Sequence, residues 1–321
     1  MKVFGVKHGD QQLFEHPVKE PNEGQVLVRV KTAGLNHRDL KMKERIGSQD
    51  QAYILGSDGA GVVETTGEKV SRFQPGDEVV FNPSLNWYDK TDAPPSSFKI
   101  LDGTFAEYML ISEDFIEAKP SHMSWEEAGV FALSALTGYR ALFTQGNLKK
   151  GETLFIPGAG GGVTSFIIQM AIAKGARVIT TSRDKEKLEK ASQLDYDKGL
   201  LTSEDWVSAL EDEQIDLVIE SIGGATFNRS LEVLKKGGRL VTFGSSTDDQ
   251  FTFNLRQFFY GQYKMIGSTM GSRDEFRELL RFCEDNDLKP ILDRGYRLED
   301  IDEAFSYLSS QQQLGKVYIT M

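Results

Sequence analysis

The tightest constraint on this chain is a glycine cluster set between a strand-like run and a helix-like run. Thr153-Leu154-Phe155-Ile156-Pro157 is followed at once by Gly158-Ala159-Gly160-Gly161-Gly162-Val163, and residues 164–174 then carry helical spacing. Glycines at such a turn permit a tight bend and let backbone N–H groups approach a pyrophosphate at the positive end of the helix. The pattern continues with a strand at 177–181, a helix at 185–191, a strand at 216–219, a helical stretch near 226–234 and a strand at 239–243. This alternation implies an α/β domain with a doubly wound parallel sheet.

The remainder reads differently. With 321 residues, two domains are expected. Residues 1 to about 120 are short strands and turns: Gln25-Val26-Leu27-Val28-Arg29-Val30 alternates with period two, and Pro75-Gly76-Asp77 is a turn feeding Glu78-Val79-Val80-Phe81. Residues 82–101 hold Pro83, Pro94 and Pro95 with little periodicity, which predicts a long surface loop, either a candidate lid carrying Trp87 and Tyr88 or an inert insertion. Ser124 and Glu127 have capping-box spacing, which predicts a helix through about residue 143. The tail adds helices at 274–286 and 299–308 and a strand at 316–319. Cys283, the one cysteine, falls at helical spacing with Phe276, Leu279 and Leu280 and is expected in the core.

Lys and Arg total 37 against 48 Asp and Glu, a net charge of −11 that repels nucleic acid and anionic lipid. No apolar run is long enough for a membrane span and the first residues show no signal-peptide core, so a cytoplasmic protein is expected. After the second strand of the alternating half, an NAD-preferring site usually has an acidic ligand for the ribose 2′-hydroxyl, whereas Ser182 and Arg183 stand here with Lys187 one helical turn on. A carboxylate repels a 2′-phosphate, while serine, arginine and lysine can bind it, so the expected cofactor is NADPH.

Ala33-Gly34-Leu35-Asn36-His37-Arg38-Asp39, Gly56-Ser57-Asp58-Gly59-Ala60-Gly61-Val62-Val63, Leu136-Thr137-Gly138-Tyr139, the glycine loop and the closing Gly315-Lys316-Val317 together resemble the medium-chain dehydrogenase/reductase superfamily, especially its zinc-free quinone oxidoreductase and enoyl reductase branch. The resemblance covers essentially the whole chain. It implies a GroES-like β-rich catalytic domain of residues 1–134 and 268–321, and a Rossmann cofactor domain of residues 135–267. The zinc enzymes of the superfamily carry a cysteine where this chain has Asn36, a His-Glu pair at Ser57-Asp58 and a second cysteine at Leu133, so no metal is expected. Carried over by position, Asn36 and Thr137 meet the nicotinamide end of the cofactor. Gly158, Ala159, Gly161, Gly162 and Val163 line the pyrophosphate, Phe243, Gly244 and Ser245 lie near the nicotinamide amide, and Lys316 meets the diphosphate. Thr164 departs from the family loop, which has a glycine there. The resemblance also implies a homodimer, joined through strands near 239–243 and 264–268.

Reducing a conjugated carbonyl leaves a delocalised enolate that hydrogen bonds can hold, whereas oxidising an alcohol without a metal needs some other group to stabilise the alkoxide. The expected reaction is therefore hydride delivery to a quinone or enone, with Asn36, Arg38, Tyr53 and Tyr88 as candidate oxyanion donors on segments expected to face an interdomain cleft. Tyr260 and Lys264 have the Tyr-x-x-x-Lys spacing of short-chain dehydrogenases, but they precede an apparent strand rather than share a helix. Two alternatives stay open: an alcohol or carbonyl dehydrogenase of the same superfamily, and a protein that binds NADPH without turnover.

Overall fold

The computed structural model describes residues 1–47 and 51–321. The chain divides into two units, Met1–Ser134 with Ser272–Met321, and Ala135–Gly271. The second crossing thus falls at Ser272, a few residues beyond the expected 268.

The first unit is built on a seven-stranded sheet. Its main path runs Ile116–Ala118, Glu78–Phe81, Asp58–Thr66, Gln25–Leu35, Lys316–Thr320, Leu292–Arg297, and Tyr108–Ser112 also pairs with Gln25–Leu35. The alternation in Gln25–Leu35 sends Val26, Val28 and Val30 into one apolar cluster with Val63, Val79 and Phe81. A second cluster joins Phe4, Leu35, Leu55 and Phe105 to Ile301, Val317 and Ile319 from the tail. The tail strand lies antiparallel to Gln25–Leu35 with Val317 opposite Leu35, and this register sets Lys316 beside Asn36.

The second unit carries a six-stranded parallel sheet in the order Lys198–Leu201, Arg177–Ser182, Thr153–Pro157, Ile215–Glu220, Leu234–Thr242, Lys264–Gly267. All five residues of Thr153–Pro157 are buried, as a central strand covered on both faces requires. Leu234–Thr242 is paired on both sides, so of the two strands expected to join subunits only Lys264–Gly267 is an outer strand of the sheet.

Two elements differ from expectation. The Ser124 capping box is present, but its helix Trp125–Gly129 stops at Val130; a second helix Ala132–Tyr139 follows and runs into a π-helical turn, Arg140–Gln145. Residues 82–101 keep an exposed stretch at 88–93, but Trp87 is not free to cover a ligand. Their short strands Ser84–Leu85 and Lys99–Ile100 pair, and Trp87 is 1% exposed with its ring edge-on to Phe98. An indole of that size is worth more in the core than over a ligand, and nothing in the period-two or helical pattern marked it as buried. No helix among the described residues is long and apolar enough to cross a membrane.

Candidate active site

In the second unit the glycine loop bridges the strand Thr153–Pro157 and the helix Gly162–Ala173. Gly158 takes φ +92°, a conformation that costs any side chain strain. Gly161 is the N-cap and has no side-chain cap, so the first N–H groups of the helix are left for an anion. Ala159, within the loop, is fully buried. A Cβ on Gly160 would sit 2.2 Å from Lys187 Cε, which shows that the Lys187 side chain lies across the loop. The lysine expected at the 2′-phosphate thus lies against the glycine loop.

Ser182 ends its strand nearly buried, with Oγ accepting from the Asp184 backbone, and Arg183 next to it is exposed. Asp184 places a carboxylate two residues beyond Ser182, which the strand-end rule did not weigh. Its Oδ1 is engaged as helix cap, accepting from the backbone of Glu186 and Lys187 at 2.8 and 3.2 Å. Thr137 Oγ1 lies 3.6 Å from Met270 Sδ in the same unit. Phe243, Gly244 and Ser245 follow the strand Leu234–Thr242, and Ser245 Oγ is a buried hydroxyl without a hydrogen-bond partner. That orphan atom, the glycine cradle and the basic Lys187 fit a dinucleotide.

Sequence reading missed Glu220, a fully buried carboxylate at the end of its strand. Oε1 accepts from the backbone of Ile222 at 2.6 Å and of Gly223 at 3.3 Å and from Thr226 Oγ1 at 3.1 Å, while Oε2 accepts from Ser230 Oγ at 2.9 Å. It organises the turn against which Ser245 packs. Its strand-end position is the one signal that could have found it.

In the first unit, polar groups from distant segments converge below the surface. Asn36 is 6% and Lys316 3% exposed. Lys316 Nζ donates to Asn36 Oδ1 at 2.5 Å, Ser134 Oγ at 3.1 Å and Asp58 Oδ2 at 3.3 Å. Asn36 Nδ2 donates to the same Asp58 oxygen at 3.0 Å, and the other oxygen, Asp58 Oδ1, accepts from the Leu133 backbone at 2.6 Å. Burial pulls the Lys316 amine below its ordinary value, and Asp58 pushes it back up. The expected contact of Lys316 with a diphosphate is therefore replaced by an internal one: the ammonium is sealed in and its three protons have acceptors in this unit.

Arg38, Tyr53 and Asp102 form a neighbouring group. Arg38 Nη1 donates to Asp102 Oδ1 at 2.8 Å and to Ser57 Oγ, and Tyr53 donates its hydroxyl proton to Asp102 Oδ2 at 2.5 Å. Burial and then the Asp102 bond raise the Tyr53 phenol above its ordinary value. Arg38 Nε is buried without a partner. Tyr53 and Asp102 are among the residues that line a pocket of about 470 Å³, with Ile54, Ile100 and Tyr108. Asp39 is fully buried; its Oδ2 accepts from the Asn36 backbone at 2.8 Å, and burial pushes its carboxyl up to about 7. Tyr88 is set apart from these groups: its ring packs on Phe115 and under the Arg273 guanidinium, and its carbonyl accepts from the Asp274 backbone. The structure thus joins Asn36 to Lys316, and Arg38 to Tyr53, through two carboxylates, Asp58 and Asp102, that sequence reading had not put in those roles.

The residues at the metal positions do not fit zinc. Asn36 and Asp58 are turned to an ammonium, Ser57 Oγ is held by Arg38, Leu133 has no donor side chain, and among the described residues no cluster of three or more His, Cys, Asp or Glu is placed to hold a metal. Tyr260 is 65% exposed on the helix Leu255–Gly261 while Lys264 begins the outer strand, so the Tyr-x-x-x-Lys spacing builds no pair. Cys283 is fully buried, and burial raises its thiol to about 12.

Residues 22–121 match the alcohol dehydrogenase GroES-like domain family, and residues 162–285 match the zinc-binding dehydrogenase family. Among curated proteins, a zinc-type alcohol dehydrogenase-like protein of Schizosaccharomyces pombe is 31% identical over 99% of this chain and 96% of its own length. An acryloyl-coenzyme A reductase of Sulfurisphaera tokodaii is 30% identical over 99% and 98%. Among solved structures, an NAD-dependent alcohol dehydrogenase superposes with TM-score 0.92 at 30% identity over the full length of both chains. A 2-octenoyl-CoA carboxylase reductase, solved with NADP and 2-octenoyl-CoA, gives TM-score 0.84 at 27% identity over 98% of this chain and 82% of that one. With a GroES-like unit, a doubly wound cofactor unit and relatives aligned along nearly the whole sequence, the chain belongs to the medium-chain dehydrogenase/reductase superfamily of oxidoreductases.

Proposed function

We propose that this chain reduces the carbon–carbon double bond of a small α,β-unsaturated carbonyl compound, with NADPH as hydride donor and without a metal. The observation that carries the reading is the internal pairing of Asn36, Asp58 and Lys316: an amide, a carboxylate and an ammonium committed to one another stand where a Lewis acid would need ligands. A site without a Lewis acid suits an oxygen whose charge is spread over an enolate better than a localised alkoxide. The likeness to an acryloyl-CoA reductase supports an activated alkene, and an enoyl thioester joins enones and quinones in the substrate class.

NADPH, when bound, supplies the hydride. This chain's residues bind and orient it: the helix N-terminus at Gly161–Val163 and Lys187 meet the pyrophosphate, Ser182 and Arg183 select the 2′-phosphate, and Ser245 supplies a hydroxyl to the nicotinamide amide. Arg38 and Tyr53, both held by Asp102, are the groups assigned to the carbonyl oxygen, and the Tyr53 proton reaches a substrate only by leaving Asp102. Asn36 has its amide committed to Asp58 and Lys316, which makes it part of the frame instead of a donor to the substrate.

Steady-state turnover of an enoyl thioester, an enone, a quinone and an aldehyde with NADPH and with NADH tests the proposal. The alkenes with NADPH should be turned over fastest. The likeness to an NAD-dependent alcohol dehydrogenase keeps a second reading in view, and faster turnover of an aldehyde or alcohol with NAD(H) would favour it. NADPH binding with no oxidation by any of the four would favour a binding protein.

A further inference from the structure

We propose that the Lys316 ammonium is the resident cation of the first unit: it does for Asn36, Asp58 and Ser134 the work of a bound metal ion, and by occupying that place it keeps a metal out.

Four segments far apart in sequence supply this centre. Asn36 follows the strand Gln25–Leu35, Asp58 opens the strand Asp58–Thr66, Ser134 lies on the helix Ala132–Tyr139, and Lys316 opens the strand that the tail returns to the sheet. An ammonium has three protons and no acceptor, and three oxygens surround Nζ, at 2.5, 3.1 and 3.3 Å. Asp58 is fully buried and Lys316 nearly so, and a buried carboxylate persists in its charged form when it is paired and hydrogen-bonded. The same ammonium fixes which way the Asn36 amide lies, because Oδ1 can accept from Lys316 only if Nδ2 faces Asp58. Lys316 is therefore a positioning residue for Asn36. A divalent ion entering this place would have to expel a paired ammonium. It would then find one carboxylate already bound to the Leu133 backbone, a serine held by Arg38 and a leucine.

The proposal rests on the metal-free part of the reading above and is independent of which alkene is reduced. Two measurements decide it. The native chain is titrated with Co²⁺ and followed by visible absorption, with no complex expected. A stoichiometric tetrahedral complex would overturn both this proposal and the metal-free reading. A double-mutant cycle of Lys316→Met and Asp58→Asn is followed by urea unfolding, with the Asn36 side-chain amide NMR signal recorded in each variant. Each single change leaves a buried charge alone and should raise the unfolding constant by about a hundredfold or more. The double variant should recover most of that loss, and the Asn36 signal should move in Lys316→Met. Additive losses, or an unmoved Asn36 signal, would overturn the resident cation alone and leave the reaction standing. If Lys316→Met does not fold, a folded double variant supports the proposal, and an unfolded double variant, with Asp58→Asn alone folded, counts against it.

Discussion

Asp39 shows how a residue's surroundings set the pH behaviour of the chain. Burial is the largest cause of its raised carboxyl, Asp102 adds to it, and the Asn36 N–H, Arg38 and Lys316 oppose it. The folded state therefore keeps a proton, up to about pH 7, that the unfolded chain releases near its ordinary value of 3.8. Because the folded state binds more protons in that window, the contribution of Asp39 to stability falls as pH rises from about 4 to about 7 and stays lost above it. Asp39→Asn keeps the acceptor for the Asn36 N–H and has no proton to lose. Relative to the native chain its melting temperature should be higher at pH 8 than at pH 5, by at least about 2 °C, the shift that roughly 1 kcal/mol makes in a chain of this size. An equal difference at both values would contradict the assignment. Arg183 carries the second prediction: Arg183→Ala should weaken NADPH about tenfold to a hundredfold and NADH little, measured by fluorescence titration, since only NADPH loses a charge-assisted contact. Equal losses would remove Arg183 from the 2′-phosphate site. Ser182, Arg183 and Lys187 could be read as a group because the strand-end rule fixes their position. Asp58 and Asp102 could not, because their partners are tens to hundreds of residues away and no spacing reports a contact made by folding.

At the scale of elements, the strands were legible because burial leaves a pattern, alternating from Val28 to Thr32 within Gln25–Leu35 and continuous along the central Thr153–Pro157. The extent of the helix from Ser124 was not, because its break at Val130 follows from packing. Trp87 was misplaced for the same reason. The helix Arg273–Asp285 has its own start signal in the sequence. Ser272 and Glu275 have capping-box spacing, and both bonds are present in a buried setting, Ser272 N to Glu275 Oε2 at 2.7 Å and Glu275 N to Ser272 Oγ at 3.2 Å. Ser272→Ala should cost about 1 kcal/mol in urea unfolding. A neutral result would mean that the helix start is held by the Trp87 and Tyr88 carbonyls, which accept from Arg273 and Asp274.

At the scale of the whole molecule, the cofactor unit ends in the outer strand Lys264–Gly267, and Met265, Leu255, Phe259 and Tyr260 are 40, 64, 49 and 65% exposed on it and on the helix before it. An outer strand with apolar neighbours is a ready partner for a second copy across a two-fold axis. We expect a dimer at micromolar concentration by sedimentation velocity and a monomer for Met265→Lys with Phe259→Ser; an unchanged sedimentation coefficient would place the interface elsewhere. The central claim concerns where the hydride goes. The most direct measurement is a single turnover of NADPH deuterated at C4 on the transferred face, with an acryloyl thioester or enone, on chain stripped of metal by a chelator. The product is then read by mass spectrometry and NMR. Deuterium on the β-carbon of a saturated carbonyl product, at an undiminished rate, is the predicted result. Deuterium on the carbonyl carbon of an alcohol, or turnover that returns only when zinc is added back, would contradict it.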